Sequence, residues 1–135
     1  MALRAVRGAT QVTADDREVV LAASRELVEK VMAENGLAQD DVVSIVFTAT
    51  RDIVSVAPAL AARQLGFHEV ALICAQEMYV EGGMPLVVRL LAHVETDRPR
   101  ADIVNVYLHG TQVLRADVPP VVDVERAGDR DGDPA

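Results

Sequence analysis

The run Val87–Val94, VVRLLAHV, constrains the fold of this chain more than any other stretch. Read at period two, it places Val88, Leu90, Ala92 and Val94 on one face and Arg89, Leu91 and His93 on the other. That is the pattern of a strand with one side buried. A guanidinium in the middle of such a strand must meet either water or an anion. A sheet solvated on one side is the plainer reading; an anion site is the sharper one. The residues just upstream bear on the choice, because Leu72–Met84 carries the only cysteine, Cys74, then Glu77 three residues on, then a Gly82-Gly83 turn.

The remaining segments read as walls around this stretch. Leu3–Val6 alternates small apolar and basic residues, so a strand carries Arg7 at its end, pointing with Leu3 and Ala5, and Gly8 permits a bend. Thr13 can cap a helix whose apolar positions Val20, Leu21, Leu27, Val28, Val31 and Met32 recur at helical spacing. Asn35-Gly36 ends it. Its other face, with Arg17, Glu18, Arg25 and Glu29, is polar, so this helix covers a sheet. Val42–Ala49 is a continuous β-branched strand, and Pro58 suits the first turn of a short helix Ala59–Leu65 that stops at Gly66 and carries Arg63. Strands follow at Glu69–Cys74, Val87–Glu95 and Ile103–Tyr107, then a short apolar element, Val113-Leu114-Arg115. Aromatics make up only 3% of the 135 residues and tryptophan is absent, so the core is built from Val, Leu, Ile and Ala. A chain of this length holds one domain, in a size range where assembly often adds buried surface. The domain spans 1–118, and 119–135 form an acidic, Gly- and Pro-containing tail expected to be mobile.

Several kinds of chemistry are excluded by composition and spacing. A net charge of −8 disfavours nucleic acid and anionic membranes. One cysteine cannot close an intrachain disulfide, no signal-peptide core precedes the first strand, and no apolar run reaches the roughly 20 residues of a bilayer span, so the cytoplasm is expected. His68, His93 and His109 lack ligand spacing, and no metal is implied. Gly82-Gly83 leads into Met84-Pro85 and is no phosphate loop. Nothing local sets a histidine beside Cys74, and a lone buried cysteine is most often a small hydrophobe. What remains is Arg7, Arg63, Arg89 and Arg115 with Glu77, a set suited to a small polyanion, since the guanidinium fork captures carboxylates in pairs of hydrogen bonds.

Taken in register, Arg7-Gly8-Ala9-Thr10, Pro58 with Ala61-Ala62-Arg63, Cys74-Ala75-Gln76-Glu77-Met78, Gly82-Gly83, Arg89, Val106-Tyr107-Leu108 and Val113–Asp117 resemble the monofunctional AroH-class chorismate mutases, from residue 3 to about 118. The resemblance implies an α+β chain that forms a homotrimer with a barrel-like centre and active sites between subunits. It implies cofactor-free conversion of chorismate to prephenate, on the route to phenylalanine and tyrosine. By resemblance, Arg89 donates to the ether oxygen, Glu77 and Cys74 hold the ring hydroxyl, and Arg7, assisted by Tyr107, binds the side-chain carboxylate. Arg63 and Arg115 would stand at the cleft mouth, with Leu114 and Ile73 as lining. The chain departs from the pattern at Ala57, where an aromatic residue is usual, at Leu60, often polar or charged, and at Ile73, in place of a hydroxyl residue. Two other classes fit the same composition: a trimeric imine deaminase or small-molecule binder of the RidA type, and a non-catalytic assembly subunit.

Overall fold

A computed structural model describes the backbone of residues 1–117 and the side chains of residues 1–114. Five strands, β1 (Ala2–Gln11), β2 (Val42–Ala49), β3 (Ala71–Gln76), β4 (Val87–Thr96) and β5 (Val106–Tyr107), and two α-helices, α1 (Arg17–Glu34) and α2 (Ala59–Gln64), form an α+β unit. The sheet order is β3-β2-β4-β1-β5. At its centre β4 runs antiparallel to both β1 and β2, while β3 and β5 are parallel edge strands. The alternation read in β4 holds, with Val88, Leu90, Ala92 and Val94 buried and Arg89, Leu91 and His93 on the other side. Both helices cover the first face, where Leu27, Val28 and Val31 of α1 join Val6, Phe47 and Leu90 in an aliphatic core. The second face carries no α-helix among the described residues, and it exposes Leu3, Ile73 and Leu91.

Several expected boundaries move, each for an identifiable reason. Gly8 does not bend β1, which continues to Gln11. A Cβ there would lie 3.1 Å from Leu27 Cδ1 and 3.2 Å from Val31 Cγ2, so glycine serves the close approach of α1 to the strand. The helix begins later than Thr13 predicts. Asp16 is its cap, its carboxylate accepting the Glu18 and Val19 N–H groups. Asp15 next to it accepts from the Val54 and Ser55 N–H groups and ties the loop after β2 to the helix start. The Ser55 side-chain hydrogen bond, then the Val54 amide, hold the Asp15 carboxyl below its ordinary 3.8. β3 is displaced toward Gln76, because Glu77 N–H still donates to Ala49 O past its end. The last strand shrinks to two residues because side-chain amides replace its ladder. Asn35 bonds both the N–H and the C=O of Val104, and Asn105 accepts the Arg7 N–H. No helix among the described residues is long and apolar enough to cross a membrane. The expected tail, 119–135, lies outside the described residues.

Filling the space that Gly8 leaves open tests this packing. Gly8→Val should cost about 1–3 kcal/mol by overpacking against Leu27 and Val31. Thermal melting at fixed protein concentration reads it, and an unchanged melting temperature would mean that α1 sits farther from β1.

Candidate active site

Arg89 occupies the uncovered face of β4, the central strand of the sheet. Its Cα partners are Thr48 on β2 and Ala9 on β1, and beyond these lie Ala75 on β3 and Tyr107 on β5. The five residues make one row across the sheet. The small residues on either side of Arg89 leave its side chain room along that row. Glu77 enters from the end of β3. Its carboxylate accepts a 2.6 Å hydrogen bond from Thr48 Oγ1 and stands 3.6 Å from Arg89 Nε. That distance gives charge pairing without a hydrogen bond. Arg89 Nε is itself buried and donates no hydrogen bond among the described residues. A buried donor left unmade ordinarily costs about 1–3 kcal/mol. Here it is a cation whose charge is balanced while donor capacity is held in reserve.

Above the pair opens a cleft of about 560 Å³ whose walls include Glu77, Arg89, Leu114, Arg51, Met84 and Pro85. That size suits a small organic ligand, since such sites run from about 300 to 1,000 Å³. The wall made by residues 77–86 is held in place at its far end. Leu86 adopts a positive φ of 56°, and its N–H is gripped by both oxygens of Asp52. Thr50 and Val87 exchange hydrogen bonds beside it, Thr50 N–H to Val87 O and Val87 N–H to Thr50 Oγ1. The Gly82-Gly83 turn is present, with Gly82 at φ +83°.

The residues singled out in the sequence fall into two groups. Arg89, Glu77 and Leu114 line the cleft, and Tyr107 shares the row of Arg89. Arg7 lies on the same face, paired with Leu91 and hence diagonal to Arg89. Cys74 pairs with the core residue Phe47 and so faces the helix side, where its Sγ accepts the Ala59 N–H at 3.3 Å. It is exposed, not the buried small hydrophobe that a lone cysteine suggests. Arg63 is exposed on α2, and Ile73 lies at the β3 edge beside Val46. None of these three lines the cleft of its own chain. Arg115 belongs to the 3-10 segment Thr111–Asp117, and its side chain lies outside the described residues. Sequence reasoning missed Thr48, which it took only as the end of a strand, and also missed Arg51, Asp52 and Tyr79. The sequence signal for Thr48 was its parity with Arg89 across the sheet, invisible until the register is known. Among the described residues, no group of three or more His, Cys, Asp or Glu could hold a metal ion.

An α+β chain with a half-buried, charge-balanced arginine facing a cleft of small-ligand size is of the class that handles small carboxylates by positioned charge. The family model for chorismate mutase type I matches residues 3–118, and the chain belongs to that family. It is 41% identical over 119 residues to chorismate mutase AroH of Bacillus subtilis (strain 168), covering 87% of this chain and 94% of the relative. It is 40% identical over 117 residues to chorismate mutase AroH of Thermus thermophilus, covering 86% and 96%. Among solved structures, a chorismate mutase from Clostridium thermocellum superposes with a TM-score of 0.80 at 39% identity, covering 81% of this chain and 97% of that one. These likenesses set aside the imine-deaminase and assembly-subunit readings.

The Thr48 hydroxyl is the direct restraint on Glu77. Removing a hydrogen bond to a charged group typically costs about 1.5–3 kcal/mol. Thr48→Val should therefore lower kcat for chorismate about tenfold with KM nearly constant, and Thr48→Ser should restore most of it. Wild-type kcat in Thr48→Val would show that Glu77 is held by other means.

Proposed function

We propose that this chain is an isomerase that converts chorismate to prephenate, in the cytoplasm, as a step toward phenylalanine and tyrosine. The observation that carries the reading is the Arg89 Nε, buried, without a hydrogen bond among the described residues and 3.6 Å from Glu77. In the rearrangement an ether C–O bond breaks as a C–C bond forms within one molecule, with no proton transfer and no covalent intermediate. Such a reaction is accelerated by holding the reacting ends together and by fixed charge placed where the transition state polarises. Arg89 donates to the ether oxygen as negative charge collects there. Glu77, already held by Thr48, faces the ring hydroxyl and the positive charge developing on the ring. Arg7 and Tyr107 take the side-chain carboxylate, and Leu114 forms a wall. No cofactor enters this scheme.

Cys74, Arg63 and Ile73 join the same site when it lies between subunits of a homotrimer with a barrel-like centre. Two features support this arrangement. The sheet face opposite the helices exposes Leu3, Ile73 and Leu91, apolar side chains that association would cover. The sheet also separates Cys74 and Arg63 from Arg89 and Glu77 within one chain, so the α2 edge of one subunit would complete the cleft of the next. Arg115 would stand at the mouth.

Arg89→Ala should lower kcat by at least about a hundredfold, because losing one preorganised donor costs on the order of 3 kcal/mol in the transition state. Arg89→Lys should return only a small part, since it keeps the charge and loses the fork. Loss of chorismate absorbance reads both, and near-wild-type turnover in Arg89→Ala would overturn the mechanism. For the shared site, the informative mixture is Arg89→Ala with Arg63→Ala, because Arg7 and Arg89 lie on one face of one chain. Subunit exchange should raise kcat/KM above the average of the two variants. Sedimentation as a monomer would end the shared-site idea.

A further inference from the structure

The cleft carries a second arginine that the scheme above leaves without a role. Arg51 follows β2 and lines the same cleft as Glu77 and Arg89. Its Cζ stacks 3.4 Å from the centroid of the Tyr79 ring. Its side chain makes no hydrogen bond or ion pair to any described residue. Acidic neighbours are not lacking. Asp52 is adjacent but turns its carboxylate to the Leu86 N–H, and Glu81 stands two residues past Tyr79 without pairing. In a chain with 21 acidic and 13 basic residues, Arg51 stands at the cleft paired with no carboxylate among the described residues.

The holding device is visible on both sides of Arg51. Thr50 and Asp52 are fastened to Val87 and Leu86 at the start of β4, so the backbone that carries Arg51 cannot drift from the cleft wall. The ring of Tyr79 occupies the flat face of the guanidinium. A stacked guanidinium keeps its N–H edge available, and that edge matches a carboxylate in a two-bond geometry. Arg51 and Tyr79 are both solvent-exposed, so the stack stands at the open rim of the cleft.

We infer that Arg51, oriented by Tyr79, is a carboxylate-binding residue at the entrance of the Glu77–Arg89 cleft, acting on capture of the dianionic substrate and not on the bond-breaking step. This rests on the proposed mutase reading. A contact made equally in ground and transition states appears in KM alone. Because long-range attraction between charges is screened by salt, it also appears as a salt-dependent kcat/KM.

The test is chorismate kinetics at low and high ionic strength for wild type, Arg51→Ala, Arg51→Lys, Tyr79→Phe and Tyr79→Leu. Arg51→Ala should raise KM roughly tenfold, with kcat within about twofold and a shallower salt dependence of kcat/KM. Arg51→Lys should fall between. Tyr79→Phe should match wild type because the ring remains, and Tyr79→Leu should raise KM by a smaller factor because the cation stays but loses its platform. A wild-type KM in Arg51→Ala, or a loss confined to kcat, overturns the inference while leaving the mutase reading intact. If wild type itself does not turn over chorismate, the mutase reading falls instead. The rim arginine is then judged by calorimetry with malate as a dicarboxylate probe, where roughly tenfold weaker binding to Arg51→Ala supports it and equal binding overturns it.

Discussion

The register of β4 against its two neighbours is the constraint on which the rest depends. Because β4 is hydrogen-bonded on both sides, a slip of one residue would send Arg89 into the aliphatic core and Leu90 out of it. The buried face, from Val88 to Val94, fixes that register through the hydrophobic effect. The position of the guanidinium is therefore set by residues that never touch a ligand. Glu77 is set less directly, through the Ala49 carbonyl and the Thr48 hydroxyl, both supplied by β2. Two charges from different parts of the chain thus share one scaffold strand, which keeps them at ion-pair distance without letting them close into a hydrogen bond.

Much of this was legible from the sequence and some was not. Period two in VVRLLAHV revealed the buried and open faces of β4, and helical spacing from Val20 to Val31 gave α1, because both patterns are local. Where chain ends and bends depend on distant partners, local reading failed. Gly8 read as a bend because nothing in the sequence near it announces Leu27 and Val31 above it. Thr13, Asp15 and Asp16 all read as caps from side-chain type alone, and only the fold shows that Asp16 takes the helix amides while Asp15 binds a loop some forty residues away.

The candidate site shows the same division. Glu77 and Arg89 stood out as charges near apolar runs, and the family resemblance linked them to Arg7 and Tyr107. Cys74 and Glu77 look like neighbours in sequence, yet they are three apart, an odd offset that on an extended chain sends side chains to opposite faces. Proximity along the chain suggested one wall where the sheet makes two. Thr48 carries no charge and matters only through the 2.6 Å hydrogen bond that it makes.

Asn35 has a consequence beyond ending a helix. By bonding both backbone groups of Val104, it takes the part that a neighbouring strand would otherwise play, and Asn105 does likewise for the Arg7 N–H. Beside the two residues of β5, then, the Arg7 N–H on the edge of β1 and both backbone groups of Val104 are engaged by amide side chains. Open strand edges are templates for unwanted pairing between chains. Amide side chains can satisfy backbone groups without offering a ladder to extend, so at Arg7 and Val104 this margin of the sheet presents fewer open groups to a foreign strand.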